Sequence, residues 1–368
     1  MIAFTWRQFR SQASVGLVAL AVIGVVLIVT GPHLVSVYDD AVAACRASGG
    51  QSAACNNPVT STYGGLRIAT MALVLVVPAL IGMFWGAQLI AHELETGTFR
   101  LAWTQSVSRL RWLLVKLGLV GLASMVAAGL LSLMVTWWTS PIDKVNQNRF
   151  SPSNFALHGF VPAGYAVFAF ALAATVGLLV RRTLPAMAVT LAGFIGARLA
   201  VTYWVRPHYM SPVITNLPLS PSTMGFQFNG PVGSGAVSVT AQTPHLANAW
   251  VTSASIVDQA GQAPTSSYLK QVCGSAVSAG QSNAGLKGAG TRSGGVFGGN
   301  VSAVHAGQQM QSALNQCFVT LSAKYHEVVT YQPANRFWTF QTMETALFVA
   351  LAVGLAGVCT WWVRHRVS

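Results

Sequence analysis

The sequence predicts an all-α polytopic membrane protein with six transmembrane helices. Only 8% of the 368 residues are charged and 53% are hydrophobic, whereas a soluble domain carries roughly 25% charged residues. Six stretches, at 14–31, 68–91, 117–138, 159–180, 183–205 and 345–363, hold no Asp, Glu, Lys or Arg except Arg198 in the fifth. Each is close to the ~20 apolar residues that cross a hydrocarbon core.

The third observation is the distribution of positive charge. An even number of spans puts both termini on one side. The ends and loops of that side (1–13, 92–116, 181–182, 364–368) hold Arg7, Arg10, Arg100, Arg109, Arg111, Lys116, Arg181, Arg182, Arg364 and Arg366. The two short loops opposite hold only Arg46, Arg67, Lys144 and Arg149. Short loops rich in Lys and Arg face the cytoplasm, so the termini are expected there. The net charge of +13 then reflects topology and contact with anionic membrane lipid. No aromatic-basic pattern points to nucleic acid.

Taken in order, residues 1–13 set Ile2, Trp6, Phe9 and Ala13 on one helical stripe with Arg7 and Arg10 off it. That is the pattern of a helix lying in the membrane interface. The first span leads into an outside loop, 32–66, with Cys45 and Cys55. Val42-Ala-Ala-Cys45 has the look of a lipoprotein cleavage box. The apolar core before it is too long for a signal peptide, and Asp39-Asp40 stands between the two. In the second span Gly82 and Gly86 recur at four-residue spacing, as do Ala346, Ala350 and Gly354 in the sixth. Such spacing lets helices approach closely, and ordinary packing accounts for it better than a dimer seam.

The second and third spans are joined by 92–116, the only dense charge cluster between two long apolar runs. Such a polar element is held at the membrane surface, where it can meet a partner in the aqueous phase. A short loop, 139–158, follows the third span, and Arg181-Arg182 separate the fourth from the fifth. Residues 206–344 are long enough to form an outer domain. Its front half is rich in proline and has short alternating pieces such as 236–241. Its middle, 274–299, is rich in Gly, Ser, Ala and Gln, too poor in large apolar residues to bury much surface. Residues 308–325 have helical spacing and carry Cys317. With Cys273 in the same loop and Cys359 inside a span, four cysteines fall on the oxidising side. Cys45–Cys55 and Cys273–Cys317 are the simplest of three connectivities. The organisation expected is therefore 1–13, spans one to five at 14–205, a disulfide-pinned extracellular domain at 206–344, and the sixth span with its tail at 345–368.

No catalytic centre is expected. His92-Glu93 opens like a zinc-protease motif, but position 96 is Thr and the second ligand is missing. A Gly-rich loop ending in Lys-Ser or Lys-Thr, a GxSxG elbow and an aspartate pair inside a span are all missing from the sequence. The chain is expected to hold no cofactor or metal of its own. Two isolated charges remain. A charge within a span normally faces protein or water, so Arg198 is a functional candidate with pairing or snorkelling as the alternative. Glu344 is expected at the outer interface.

Glu93-x-Glu95-x-Gly97-Thr98, then Thr104-Gln-Ser-Val-Ser-Arg109 and Lys116, resembles the second-to-third-span connector of type-2 ABC exporter permeases. The wording of 100–109, and of 331–341 before the last span, is similar to an actinobacterial subgroup with a large extracellular loop. The resemblance covers the six-span plan, while 206–330 matches by size and composition only.

It implies a transport subunit that is not an enzyme. Two permease chains, identical or related, would pair over two separate ATPase subunits that bind ATP and Mg. It further implies that 92–116 forms a coupling helix seated on the ATPase, through Glu93, Glu95, Gly97, Thr98, Arg100, Arg109 and Arg111. Trp6, Arg7 and Arg10 would belong to the connecting helix. The path would be lined by the second and fifth spans, with Met83, Phe84, Gln88, Phe194 and Arg198 as candidates. The function expected is export of a hydrophobic or amphipathic compound, such as a drug or lipid. An alternative is an ABC-like sensor or mechanical transmitter without net transport. A membrane enzyme or motorless scaffold leaves the connector unexplained.

Overall fold

The computed structural model describes residues 2–47, 60–92, 95, 109–219, 224–229, 236–241, 244, 246–274, 312–313 and 315–365. The chain divides into two compact units, Met1–Ser211 with Asn335–Ser368, and Pro212–Ala334.

The first unit is helical. It comprises α1 (Ile2–Ala47), α2 (Thr60–Ile81), α3 (Arg109–Asn146), the short α4 (Pro152–Leu157), α5 (Val161–Val180), α6 (Thr183–Ala200) and α7 (Phe337–His365). α2 continues as a π-helix over Gly82–His92, and α6 as a π-helical turn and a 3-10 turn through His208. Six of these helices are long and apolar enough to cross a membrane. The segments differ from the sequence expectation mainly in length. α1 runs unbroken across residue 13, where the interfacial helix was expected to give way to the first span.

α5 is the hub. It is mostly buried, while the other spans bury a minority of their length, and it packs against α7, the π-helix, α3 and α6. Its alanines at 166, 169, 173 and 174 are buried and leave room for close neighbours. Gly82 and Gly86 use that room. A Cβ on Gly86 would stand 2.6 Å from the Ala173 Cβ and 2.9 Å from the Phe170 carbonyl oxygen. The glycine spacing thus serves packing within the chain. Gly86→Val is expected to cost about 2–3 kcal/mol by overpacking. A melting temperature in detergent equal to wild type would contradict so close an approach.

Where α3 ends, the His158 ring closes a polar clamp. Its Nδ1 lies 2.7 Å from the Asn154 carbonyl oxygen and its Nε2 2.8 Å from Asp143 Oδ2, with the Thr139 hydroxyl 3.1 Å away. Two acceptors, one at each ring nitrogen, favour the imidazolium, which alone donates from both. Burial and the charge of Arg149 oppose this. The hydrogen bond and charge of Asp143, with the Asn154 carbonyl, outweigh them and raise the pKa above 6.5. A raised native pKa means that the clamp contributes fully below the unfolded value and is lost as pH rises through the native one. His158→Gln is therefore expected to flatten the fall in melting temperature between about pH 6 and 8. An unchanged slope would exclude His158 as its source.

The chain is mostly helical but not all-α, which corrects the sequence reading. The second unit contains β1 (Val213–Leu217), β2 (Met224–Asn229), β3 (Ala236–Ala241), β4 (Trp250–Asp258) and β5 (Tyr325–Gln332). They form an antiparallel sheet of order β1-β5-β4 and a separate β2-β3 hairpin. β5 is the central strand, and residues alternate between buried and half-buried along most of it. Its Val328, Val329 and Thr330 suit a pleated surface. Cys273 and Cys317 form a disulfide. They join helical segments 266–274 and 315–322 over a core of Leu219, Ile256, Leu269, Leu321 and Tyr325.

Candidate functional site

A cavity of about 480 Å³ lies between α2 with its π-helical continuation and α6. Leu75, Ala79 and Met83, at four-residue steps, supply one wall. Leu191, Phe194, Ile195 and Leu199 supply the other, and Pro152 and Ser153 of the α4 region close an edge. The polar groups are few: Arg198, Ser153, Thr202 and Tyr203. A concave, mainly apolar site with a few converging polar groups is the usual form of a small-molecule site.

Arg198 is half-buried in this wall. Its guanidinium lies 4.7 Å over the Tyr165 ring, and Nη1 donates to the Leu75 carbonyl at 3.3 Å. Among the described residues it forms no ion pair. A planar guanidinium has five N–H donors, and the Leu75 carbonyl takes one.

The same tyrosine joins a second charged group. Tyr165 donates its hydroxyl to Glu344 Oε1. Glu344 also accepts from Arg206 twice, Nε to Oε2 and Nη2 to Oε1, each at 2.8 Å. Arg206 and Glu344 are 1% and 0% exposed, and the guanidinium stacks 4.2 Å over the Phe155 ring. Glu344 is therefore enclosed by protein, and a carboxylate this deep needs a cation and hydrogen-bond donors.

At the other end of α6 the 92–116 segment makes contact through Glu95. Its Oε2 accepts from the Thr183 backbone N–H at 3.0 Å and the Thr183 hydroxyl at 2.6 Å. The residue at the N-cap position, Arg182, offers no acceptor side chain. A carboxylate from 88 positions earlier thus satisfies a free N–H of the first turn, where the helix dipole favours negative charge.

A family model described as "ABC-2 membrane transporter related" matches residues 17–206, just over half of the chain. The chain belongs to this family. As an ABC-2 membrane subunit it is an integral membrane protein of the transport kind, which works with an ABC ATPase. No curated protein and no solved structure matches it. The match takes in α2, α6 and every lining residue of the cavity, and ends on Arg206.

Of the path residues expected for this ABC-2 subunit, Met83, Phe194 and Arg198 share the cavity, while Phe84 and Gln88 do not line it. Phe84 is exposed, and Gln88 accepts from Gln12 of α1 at 3.3 Å. Glu93, Gly97, Thr98, Arg100 and Cys55 lie outside the described residues. For Trp6, Arg7, Cys45 and Arg109 only the backbone is described. Arg10 and Arg111 are exposed. Lys116 is buried, with its ammonium 4.6 Å over Trp112. Sequence reasoning missed Arg206 and Tyr165. The signal available was the presence of two opposite charges, Arg206 and Glu344, immediately after the fifth charge-free run and immediately before the sixth.

Proposed function

We propose that this ABC-2 membrane subunit is the permease half of an exporter. It moves a hydrophobic or amphipathic compound outward, driven by ATP that separate ATPase subunits bind with Mg and hydrolyse. In this reading two permease chains pair over two ATPases. The termini face the cytoplasm of a plasma membrane, and 212–334 lies outside. Glu93, Glu95, Gly97, Thr98, Arg100, Arg109 and Arg111 carry the ATPase contact. Trp6, Arg7 and Arg10 belong to the connecting helix.

The observation that supports this best is the hydrogen bonding of Glu95 to Thr183. It ties the connector to α6, and α6 carries Phe194 and Arg198 in the cavity wall. Movement of 92–116 would therefore reach the cavity through one helix.

The test is co-purification with a co-expressed ATPase, wild type against Glu93→Ala/Glu95→Ala, followed by ATP hydrolysis in lipid. A stable wild-type complex is expected, with association or coupling lost at least about tenfold in the variant. Purification of the chain free of any ATPase would overturn the reading. Net flux of cargo into vesicles separates transport from a sensor that only hydrolyses ATP.

A further inference from the structure

We infer that the cavity between α2 and α6 takes an anionic amphiphile, with its acidic head on Arg198 and its apolar tail along Met83, Phe194 and Ile195. This deepens the permease reading and rests on it for the claim that the ligand is cargo.

The argument is one of charge and shape. The cavity is about 480 Å³ and almost wholly apolar, which suits a hydrocarbon chain. Among the described residues, the one charged group in its lining is Arg198. A cation within a span is costly unless it is compensated. The buried cation nearby, Arg206, is compensated by both carboxylate oxygens of Glu344. Arg198 has only a carbonyl and the face of a tyrosine, and neither carries a countercharge. The two arginines lie eight residues apart, and among the described residues no anion pairs with the one in the cavity.

The order of groups along α6 gives the ligand a direction. Leu191, Phe194 and Ile195 come before Arg198, and Thr202 and Tyr203 come after it. At 1.5 Å per residue the apolar part reaches about 10 Å on one side of the guanidinium. Hydroxyls lie about 6 Å beyond it on the other side, with Ser153 contributed by the α4 region. A carboxylate or phosphate on Arg198 would accept charge-assisted hydrogen bonds, and a phosphate could also reach the hydroxyls. A neutral or cationic head gains nothing from this arrangement. The same chemistry is offered by a free fatty-acid-like compound and by an anionic phospholipid of the bilayer.

The full chain, purified in a neutral maltoside, is titrated with a fluorescent long-chain carboxylate, with the methyl ester of the same chain and with the corresponding primary amine. The carboxylate is expected to bind at least about tenfold more tightly than the ester, and the amine more weakly than either. Arg198→Gln should remove the preference while leaving ester binding, and Arg198→Lys should restore part of it. Ile195→Trp, at an exposed lining position, should weaken both ligands together. This variant keeps the test open if Arg198→Gln does not fold. Equal binding of carboxylate and ester, or a preference that survives Arg198→Gln, overturns the inference. So does exclusion of every probe by a second copy of the chain, read from the mass of the complex.

Competition in nanodiscs distinguishes the sources. Displacement by phosphatidylglycerol identifies a bilayer lipid as occupant, and probe binding that phosphatidylglycerol leaves unchanged identifies a free acid. Either result upholds the anionic class. Because binding is read without an ATPase, selective binding together with no ATPase association would sink the permease reading and leave this one standing.

Discussion

Glu344→Ala is expected to destabilise the helical unit by about 3–5 kcal/mol, the usual cost of stranding one member of a buried ion pair. The variant leaves the Arg206 guanidinium, 1% exposed, with Phe155 at its face and no carboxylate. It also deprives the Tyr165 hydroxyl of its acceptor. Arg206→Met should cost a similar amount by leaving the carboxylate unpaired. Removing the whole group is a different matter, because a buried pair replaced by apolar residues of similar volume is often neutral or stabilising. Arg206→Met/Glu344→Met with Tyr165→Phe should therefore recover most of the loss. Thermal unfolding of the full chain in detergent reads all three. If the triple variant is no better than Glu344→Ala, the cost comes from packing and the charge account is wrong.

The second large effect is expected in the unit Pro212–Ala334. The Cys273–Cys317 disulfide closes a loop with a sequence separation of 44. Chain-entropy arguments give about 4 kcal/mol for a loop of that size. Both cysteines are fully buried beside Leu269 and Leu321, so Cys317→Ser also sets a hydroxyl in an apolar core. Cys273→Ala/Cys317→Ala avoids that and isolates the loss of the cross-link. Limited proteolysis of the full chain should then cut within 212–334 at temperatures where wild type resists, and reductant should reproduce the effect. Resistance unchanged by either treatment would show that the strands hold the unit without the bridge.

Much of the helical unit can be read from residue chemistry, because a charge-free run of about 20 residues has few structural uses other than a span. Arg198 stood out for the same reason: it interrupts such a run. The buried pair did not, since Arg206 and Glu344 are 138 positions apart and each reads as an ordinary boundary charge. Only the packing of α6 and α7 on α5 brings them together. Of the strands, β3 coincides with the alternating piece at 236–241, whereas the longer β4 and β5 were not legible. β4 carries a register shift between Val251 and Ser253, which breaks the period-2 signal that identifies a strand. Met83 and Phe84 are neighbours in the sequence but not on the helix surface. Successive helical residues point in different directions, and the structure turns Met83 to the cavity and Phe84 outward.

Glu95 grips α6 at its first residue, and Arg198 stands fifteen positions further on, about 22 Å along a helix of 1.5 Å rise per residue. A rod held at its foot works as a lever. If it pivots there by about 10°, Arg198 sweeps about 4 Å sideways, roughly the thickness of one hydrocarbon chain. A stroke of that size would carry the guanidinium off the Tyr165 ring of α5, over which it lies at 4.7 Å.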